Sequence, residues 1–141
     1  MPEARGCIRA REDPVRAWVA AWAGGAVLGV ANGALREGTY GRRLPEPAAN
    51  ALSAATAIGL FATCFSFLQR RWPLRSRPQA LAVGATWLGL TVCFEFGLGR
   101  ALDRSWEELG AEYDLRRGRL WPLVLASLAI GPELARRGSC R

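Results

Sequence analysis

The 141-residue sequence has no histidine and no lysine, so all 19 of its basic residues are arginine, set against 12 acidic ones. Without imidazole there is no side chain that titrates unperturbed near neutral pH, no histidine-ligated haem and no ordinary zinc site. The cysteines Cys7, Cys64, Cys93 and Cys140 form no Cys-x-x-Cys pair, so neither a dithiol redox motif nor a zinc knuckle is spelled out. No glycine-rich phosphate loop, nucleophile elbow or metal–carboxylate box is present either. Hence no cofactor and no metal ion is implied. Long stretches lack charge altogether: 17–35, 47–69, and a third from 78 that is broken only at Glu95. The mean hydropathy of +0.05 averages these runs with the arginine-rich segments between them. That distribution excludes a disordered, collagen-like or disulfide-scaffold chain. A net charge of +7 would suit nucleic acid, but the arginines are scattered between apolar runs rather than gathered on one face, so no nucleic-acid partner is expected.

What is present reads as a single all-α membrane domain covering 1–141, an integral four-helix bundle with a short amphipathic helix between the third and fourth spans. A hydrocarbon core of ~30 Å needs roughly 20 mostly apolar residues to cross. The first run, 17–35, has Asn32 as its only strongly polar group. The second, 48–68, follows Pro45 and Pro47 and stops at Arg70, Arg71 and Pro73. The third, 79–99, opens after Pro78 and carries Glu95 near its far end. The fourth, 120–135, reaches only ~24 Å at ~1.5 Å per residue. Pro122, Pro132 and Glu133 cut into its ends, so it is a short span, with a re-entrant segment as the alternative. A soluble bundle would need polar stripes that the first two helices lack. Arg5, Arg9, Arg11 and Arg16 precede the first run as in a signal peptide. The run exceeds a signal sequence's apolar region of roughly 7–15 residues, so it is read as a retained helix.

Arginine placement sets the orientation. Eleven arginines fall in the two termini and the loop after the second span, and eight in the other two loops. The loop Arg70-Arg71-Trp72-Pro73-Leu74-Arg75-Ser76-Arg77 is short and free of acid, so both termini and this loop are expected in the cytoplasm. Cys7 and Cys140 would then be reduced, and Cys64 and Cys93 would act as small apolar fillers. Trp18, Trp22, Trp72 and Trp121 lie near helix ends, as interfacial indoles do, whereas Trp87 sits mid-span as a packing residue. Gly25, Gly29 and Gly33, with Ala21, recur every fourth residue on one helical face, the small-xxx-small pattern that lets backbones approach. Ala51, Ala55, Gly59 and Thr63 repeat it in the second span, and Ala80 with Gly84 and Ala85 with Gly89 in the third. The seam is read either as packing within the bundle or as a homodimer contact.

The third loop, 100–115, continues from Leu98 an apolar stripe at helical spacing through Leu102, Trp106, Leu109 and Tyr113, with Arg104 placed to pair with Glu107 and Glu108. It reads as a helix along the membrane interface or as an extension of the third span. Alternate threading brings the ends of the first and third spans beside the starts of the second and fourth. Asn32, Arg36, Glu37, Asn50, Glu95, Arg100, Tyr113, Asp114 and Arg119 gather there, close to the non-cytoplasmic surface. An ionisable group within a span is costly and faces a partner or water. Arg36 is the expected partner of Glu95, with Arg100 second. The runs Arg116-Arg117-Gly118-Arg119 and Arg136-Arg137 read as stop-transfer flanks, or as contacts to lipid phosphate.

Three segments, Asn32-Gly33-Ala34-Leu35-Arg36-Glu37, Phe94-Glu95-Phe96-Gly97-Leu98-Gly99 and Tyr113-Asp114-Leu115-Arg116-Arg117-Gly118-Arg119-Leu120-Trp121, resemble those of small, uncharacterised bacterial inner-membrane proteins with four helices. The resemblance implies a multi-pass location in a bacterial inner membrane and no activity. The expected function is therefore non-enzymatic: a membrane protein that binds the bilayer's lipid, a second copy of itself or a membrane-protein partner. A small oligomeric transporter or channel using Glu95 is the alternative. A surface enzyme using Glu95 or Asp114 is the third reading.

Overall fold

The computed structural model describes residues 13–139. Arg5, Cys7, Arg9, Arg11, Cys140 and Arg141 lie outside the described residues. The described chain is all-α: α1 (Pro14–Gly38), α2 (Glu46–Arg71), α3 (Arg77–Ala101), the short α4 (Trp106–Ala111) and α5 (Trp121–Ser139). Single 3-10 turns lie at Tyr40–Arg42 and Leu115–Arg117. Three helices, α1, α2 and α3, are long and apolar enough to cross a membrane. α5 is not among them, because Pro132, Glu133 and the Arg136-Arg137 pair occupy its second half.

Each of α1, α2 and α3 overruns the apolar run expected for it, and at the starts of α1 and α3 a side-chain cap rather than hydropathy fixes the end. Asp13 accepts a hydrogen bond from the Val15 N–H at 3.0 Å and Pro14 sits at the first helical position. Ser76 accepts from the Gln79 N–H at 3.3 Å ahead of Arg77-Pro78. Such caps satisfy N–H groups that the helix leaves orphaned. Between α2 and α3 the buried Gln69 side chain closes the chain reversal, accepting from the Leu74 N–H at 3.0 Å and donating to its carbonyl at 3.3 Å.

α1, α2, α5 and α3 neighbour one another in that order around the core, so that α5 packs against both α2 and α3. The interior is an aromatic layer. Trp18 stacks on Phe65 with centroids 5.6 Å apart, and Phe65 meets Trp87 edge-on at 4.9 Å. Both indole N–H groups stay inside the protein, with Trp18 donating to the Trp72 carbonyl and Trp87 to the Trp18 carbonyl, each at 2.9 Å. Trp87 is the packing residue expected. Trp18, expected at a helix end as an interfacial indole, is 0% exposed with its N–H bonded to the Trp72 carbonyl, because it faces the layer formed with Phe65 and Leu68.

The outward faces are apolar. Val27, Val30, Leu52, Phe67 and Ile130 are all at least 45% exposed. Hydroxyls on those faces turn back onto their own helices: Thr56, Thr63, Ser66 and Thr86 donate to the carbonyls of Leu52, Gly59, Ala62 and Ala82 at 2.8–2.9 Å. Such bonds to the carbonyl four residues earlier satisfy the hydroxyl within its own helix.

The small-residue stripes divide differently from the expectation. Ala51, Ala55, Gly59 and Thr63 all face outward. The Ala80–Gly84 stripe of α3 does make a backbone-to-backbone approach, against α5, where a Cβ at Gly84 would collide with the Ala129 carbonyl. The expected helix over 100–115 is likewise broken. α3 continues to Ala101, and the chain then reverses through Asp103 at φ 59, a left-handed position that Asp tolerates better than most residues. α4 begins at a capping box, with Ser105 and Glu108 each bonding the other's backbone N–H. Glu108 is thereby engaged, and Arg104 pairs with Glu112 at 3.3 Å instead of with Glu107 or Glu108.

Gly84→Ala is expected to destabilise the protein by about 1–3 kcal/mol, since backbone is what the new methyl meets. Gly59→Ala, with nothing within 4 Å of a Cβ, should be neutral or stabilising by up to ~1 kcal/mol through helix propensity. Thermal unfolding in detergent checks both, and equal midpoints would contradict the α3–α5 contact.

Candidate functional site

A cavity of about 520 Å³ lies between α1 and α3, and its lining changes character along its length. At one end it begins on the aromatic layer. The Trp22 N–H donates to the Thr91 hydroxyl at 3.1 Å, tying α1 to α3. A Cβ at Gly25 would lie 2.6 Å from the Trp87 ring, so only glycine fits there. One and two turns further on, Gly29 and Gly33 line the cavity with nothing within 4 Å of a Cβ. The glycine face of α1 thus borders empty space rather than a second helix. Val30, Phe94 and Leu98 line the same cavity and are 37–50% exposed, so its mouth opens between α1 and α3 onto the apolar surface.

The other end is polar. Thr91 and Glu95 follow Trp87 at intervals of four, on one face of α3. Glu95 Oε2 accepts from the Trp121 N–H at 2.8 Å and from the Tyr113 hydroxyl at 3.1 Å. Two neutral donors therefore hold this half-buried carboxylate. Its other oxygen, Oε1, accepts no hydrogen bond from the described residues. Tyr113 is braced by Phe96, whose ring stacks on it at 5.7 Å. Burial, and next the adjacent Glu95 carboxylate, push the Tyr113 phenol well above its ordinary range, so it stays a donor.

The expected Arg36–Glu95 ion pair does not form among the described residues. Arg36 lies on the α1 wall of the same cavity but donates to Asn50 Oδ1 at 3.3 Å and lies 3.9 Å from its neighbour Glu37. Asn50, buried at the start of α2, in turn donates to the Gly118 carbonyl at 3.5 Å. The α2 terminus is simply the nearer acceptor for the Arg36 side chain. Arg100, the second candidate, donates to the Arg104 carbonyl at 2.8 Å and lies over the Trp106 ring at 5.2 Å. Asp114 caps the 3-10 turn, accepting from the Arg116 N–H at 3.0 Å, and pairs with Arg117 at 3.3 Å.

Asn32 is 7% exposed and lines the cavity. Its Nδ2 donates to the Ser53 carbonyl at 3.1 Å and hydroxyl at 3.2 Å, which fixes the amide orientation and leaves Oδ1 buried without a partner. Arg119 pairs with Glu46 at 3.1 Å and Glu112 at 3.3 Å, and Glu112 also holds Arg104. This chain of charges fastens the segment after α3 to the start of α2. Sequence reasoning missed Glu112 and the Trp121–Glu95 bond. Trp121 stands at a helix start beside the polar end, which reads as an interfacial indole. Glu112 has no helical spacing that points to its partners. A second charged cluster was also missed: buried Glu133 on α5, held by Arg136 and Arg137 at 2.7 Å each.

Comparison with protein-family models, with curated proteins and with solved structures finds no match to this chain.

Double-mutant cycles separate the two arrangements. Glu95→Met with Tyr113→Phe should be non-additive, with a coupling of about 0.5–3 kcal/mol, as residues in contact show. Glu95→Met with Arg36→Gln should add to within ~0.5 kcal/mol. Unfolding free energies in one detergent measure both, and strong coupling only in the second cycle would restore the direct ion pair.

Proposed function

We propose that this chain is a multi-pass integral membrane protein that takes up an amphiphile from the bilayer between α1 and α3 and binds it without chemistry. The observation that carries this reading is the cavity itself. Its volume of about 520 Å³ falls within the roughly 300–1,000 Å³ of small-ligand sites. Its mouth is rimmed by outward-facing apolar side chains, and its far end holds Glu95, Arg36 and Asn32. An apolar body would lie along Gly29 and Gly33 while a polar head reached the charged end.

In this reading α5 is the fourth span, running back between α2 and α3. At ~1.5 Å per residue its length approaches ~28 Å, close to a hydrocarbon core of ~30 Å. Its buried Glu133 is neutralised by Arg136 and Arg137 near the helix end. The acid-free loop Arg70–Arg77 and the end of α5 would lie in the cytoplasm of a bacterial cell, following the positive-inside tendency. The polar end of the cavity would then sit near the opposite surface of the inner membrane. Short α4 would lie at that surface, with Trp106 exposed. The aromatic layer of Trp18, Phe65 and Trp87 stands between the cavity and the Arg70 end. That favours binding over conduction through a single chain.

Filling the cavity tests the reading. Gly33→Leu places a side chain where a Cβ meets nothing, so the fold should survive. Native mass spectrometry of protein released from mild detergent is expected to show a non-covalently retained amphiphile on the wild type and its loss from Gly33→Leu at an unchanged melting temperature. Identical retention by both, or none by the wild type, would defeat the proposal.

A further inference from the structure

Two arginines and three glutamates line the cavity, and all but one are paired with each other. Arg36 lies 3.9 Å from Glu37, and Arg104 lies 3.3 Å from Glu112. Glu95 alone has no cation within ion-pair distance among the described residues. The lining therefore carries one carboxyl group without a counter-charge, placed within the apolar run of α3. A carboxylate in such a position needs a partner, and the described residues supply only the two neutral donors Tyr113 and Trp121. Both bind Oε2, which orients the group and leaves Oε1 to accept.

We propose that this end of the cavity binds a monocationic amphiphile, an ammonium or phosphonium centre on an apolar body, with Glu95 as its counter-ion. The proposal rests on the amphiphile-binding reading above and narrows it to one charge class. The aromatic rings of Trp22, Phe61, Trp87, Phe94 and Trp121 line the same space, and aromatic faces attract organic cations. An anionic amphiphile would meet Glu95, while both lining guanidiniums are already engaged by Asn50, Glu37 and Glu112. A zwitterionic phospholipid would need a free guanidinium for its phosphate and finds none in the lining. A bare divalent ion would need several hard oxygen ligands, whereas Glu95 Oε2 is taken by the Tyr113 hydroxyl and the Trp121 N–H, and Glu112, the other carboxylate on this side, is held by Arg104 and Arg119. The mouth between α1 and α3 opens onto apolar surface, which suits a ligand arriving from within the bilayer.

The test uses two ions of equal size and opposite charge, tetraphenylphosphonium and tetraphenylborate, with the full chain in phosphatidylcholine nanodiscs. Binding is measured by equilibrium dialysis after subtraction of chain-free nanodiscs. The phosphonium should bind saturably and at least about tenfold more tightly than the borate. Glu95→Gln keeps an acceptor for Tyr113 and Trp121 but removes the charge, and should weaken phosphonium binding by about tenfold or more at an unchanged melting temperature. Equal binding of the two ions by the wild type overturns the proposal without recourse to any variant, and so does wild-type affinity in Glu95→Gln. If the phosphonium fails to bind while Gly33→Leu still strips a retained amphiphile, the charge assignment falls and the cavity reading stands. If the wild type retains no amphiphile either, both fall together.

Discussion

The Trp87 indole occupies the space between α1 and α3, donating to the Trp18 carbonyl at 2.9 Å and leaving room at Gly25 only for a hydrogen. This wedge determines how near α1 can come. The ring is fully buried, and its edge contacts with Phe61 and Phe65 hold it from the α2 side. Beyond the ring, α1 cannot close on α3 without bending, and Gly29 and Gly33 bring no side chains to fill the gap. The cavity follows from one large residue succeeded by two absent side chains. Gly84 against Ala129 does the opposite on the far side of the bundle. There α3 and α5 touch along their backbones and leave no space.

The stripe of small residues on α1 thus serves a different end from the one its spacing suggests. Glycines at intervals of four ordinarily mark a helix–helix seam. Of Gly25, Gly29 and Gly33 only Gly25 makes a tight contact, and it does so with a ring rather than with a helix backbone. Each interior glycine costs helix stability, about 1 kcal/mol relative to alanine. Close packing does not offset that cost at Gly29 and Gly33. Retaining glycine there is reasonable if the space itself has a use.

Much of the architecture was legible in the sequence because membrane-type hydropathy is a signal summed over many residues. The three charge-free runs correspond to α1, α2 and α3, and the convergence of Asn32, Arg36 and Glu95 on one cavity follows from alternate threading. The pairing within that cluster was not legible. Coulomb reasoning links Arg36 to Glu95, but a buried carboxylate can be satisfied by neutral donors, and an arginine by the nearest amide. Which of these occurs depends on distances that residue types do not encode. Tyr113 reaches Glu95 only because the chain turns at Asp103 and restarts at Ser105. The pattern Ser105-Trp106-Glu107-Glu108 is a readable capping box. The apolar stripe from Leu98 to Tyr113 masks it, since a period of four favours one continuous helix. α5 presents the reverse difficulty. It is central in the fold, yet its hydropathy is diluted by a glutamate that is neutralised within one turn by Arg136 and Arg137.

The two ends of the cavity are anchored in different ways, and this bears on how a ligand could enter. At the aromatic end Trp22 bonds Thr91, and Trp87 is locked beneath Gly25. At the polar end Asn32 bonds Ser53 while Arg36 bonds Asn50, so α1 is fixed there to α2 rather than to α3. The charged chain Arg104–Glu112–Arg119–Glu46 ties the segment after α3 to α2 as well. Between these anchors no hydrogen bond crosses from α1 to α3 in the described residues. The unbridged stretch is the one flanked by Val30, Phe94 and Leu98, all of them exposed. A ligand passing there would part apolar side chains without breaking a polar contact. A ligand approaching from the polar end would have to displace bonded guanidiniums. The lateral route is therefore the one of lower cost, and it favours molecules with an apolar body that can pass across an apolar surface.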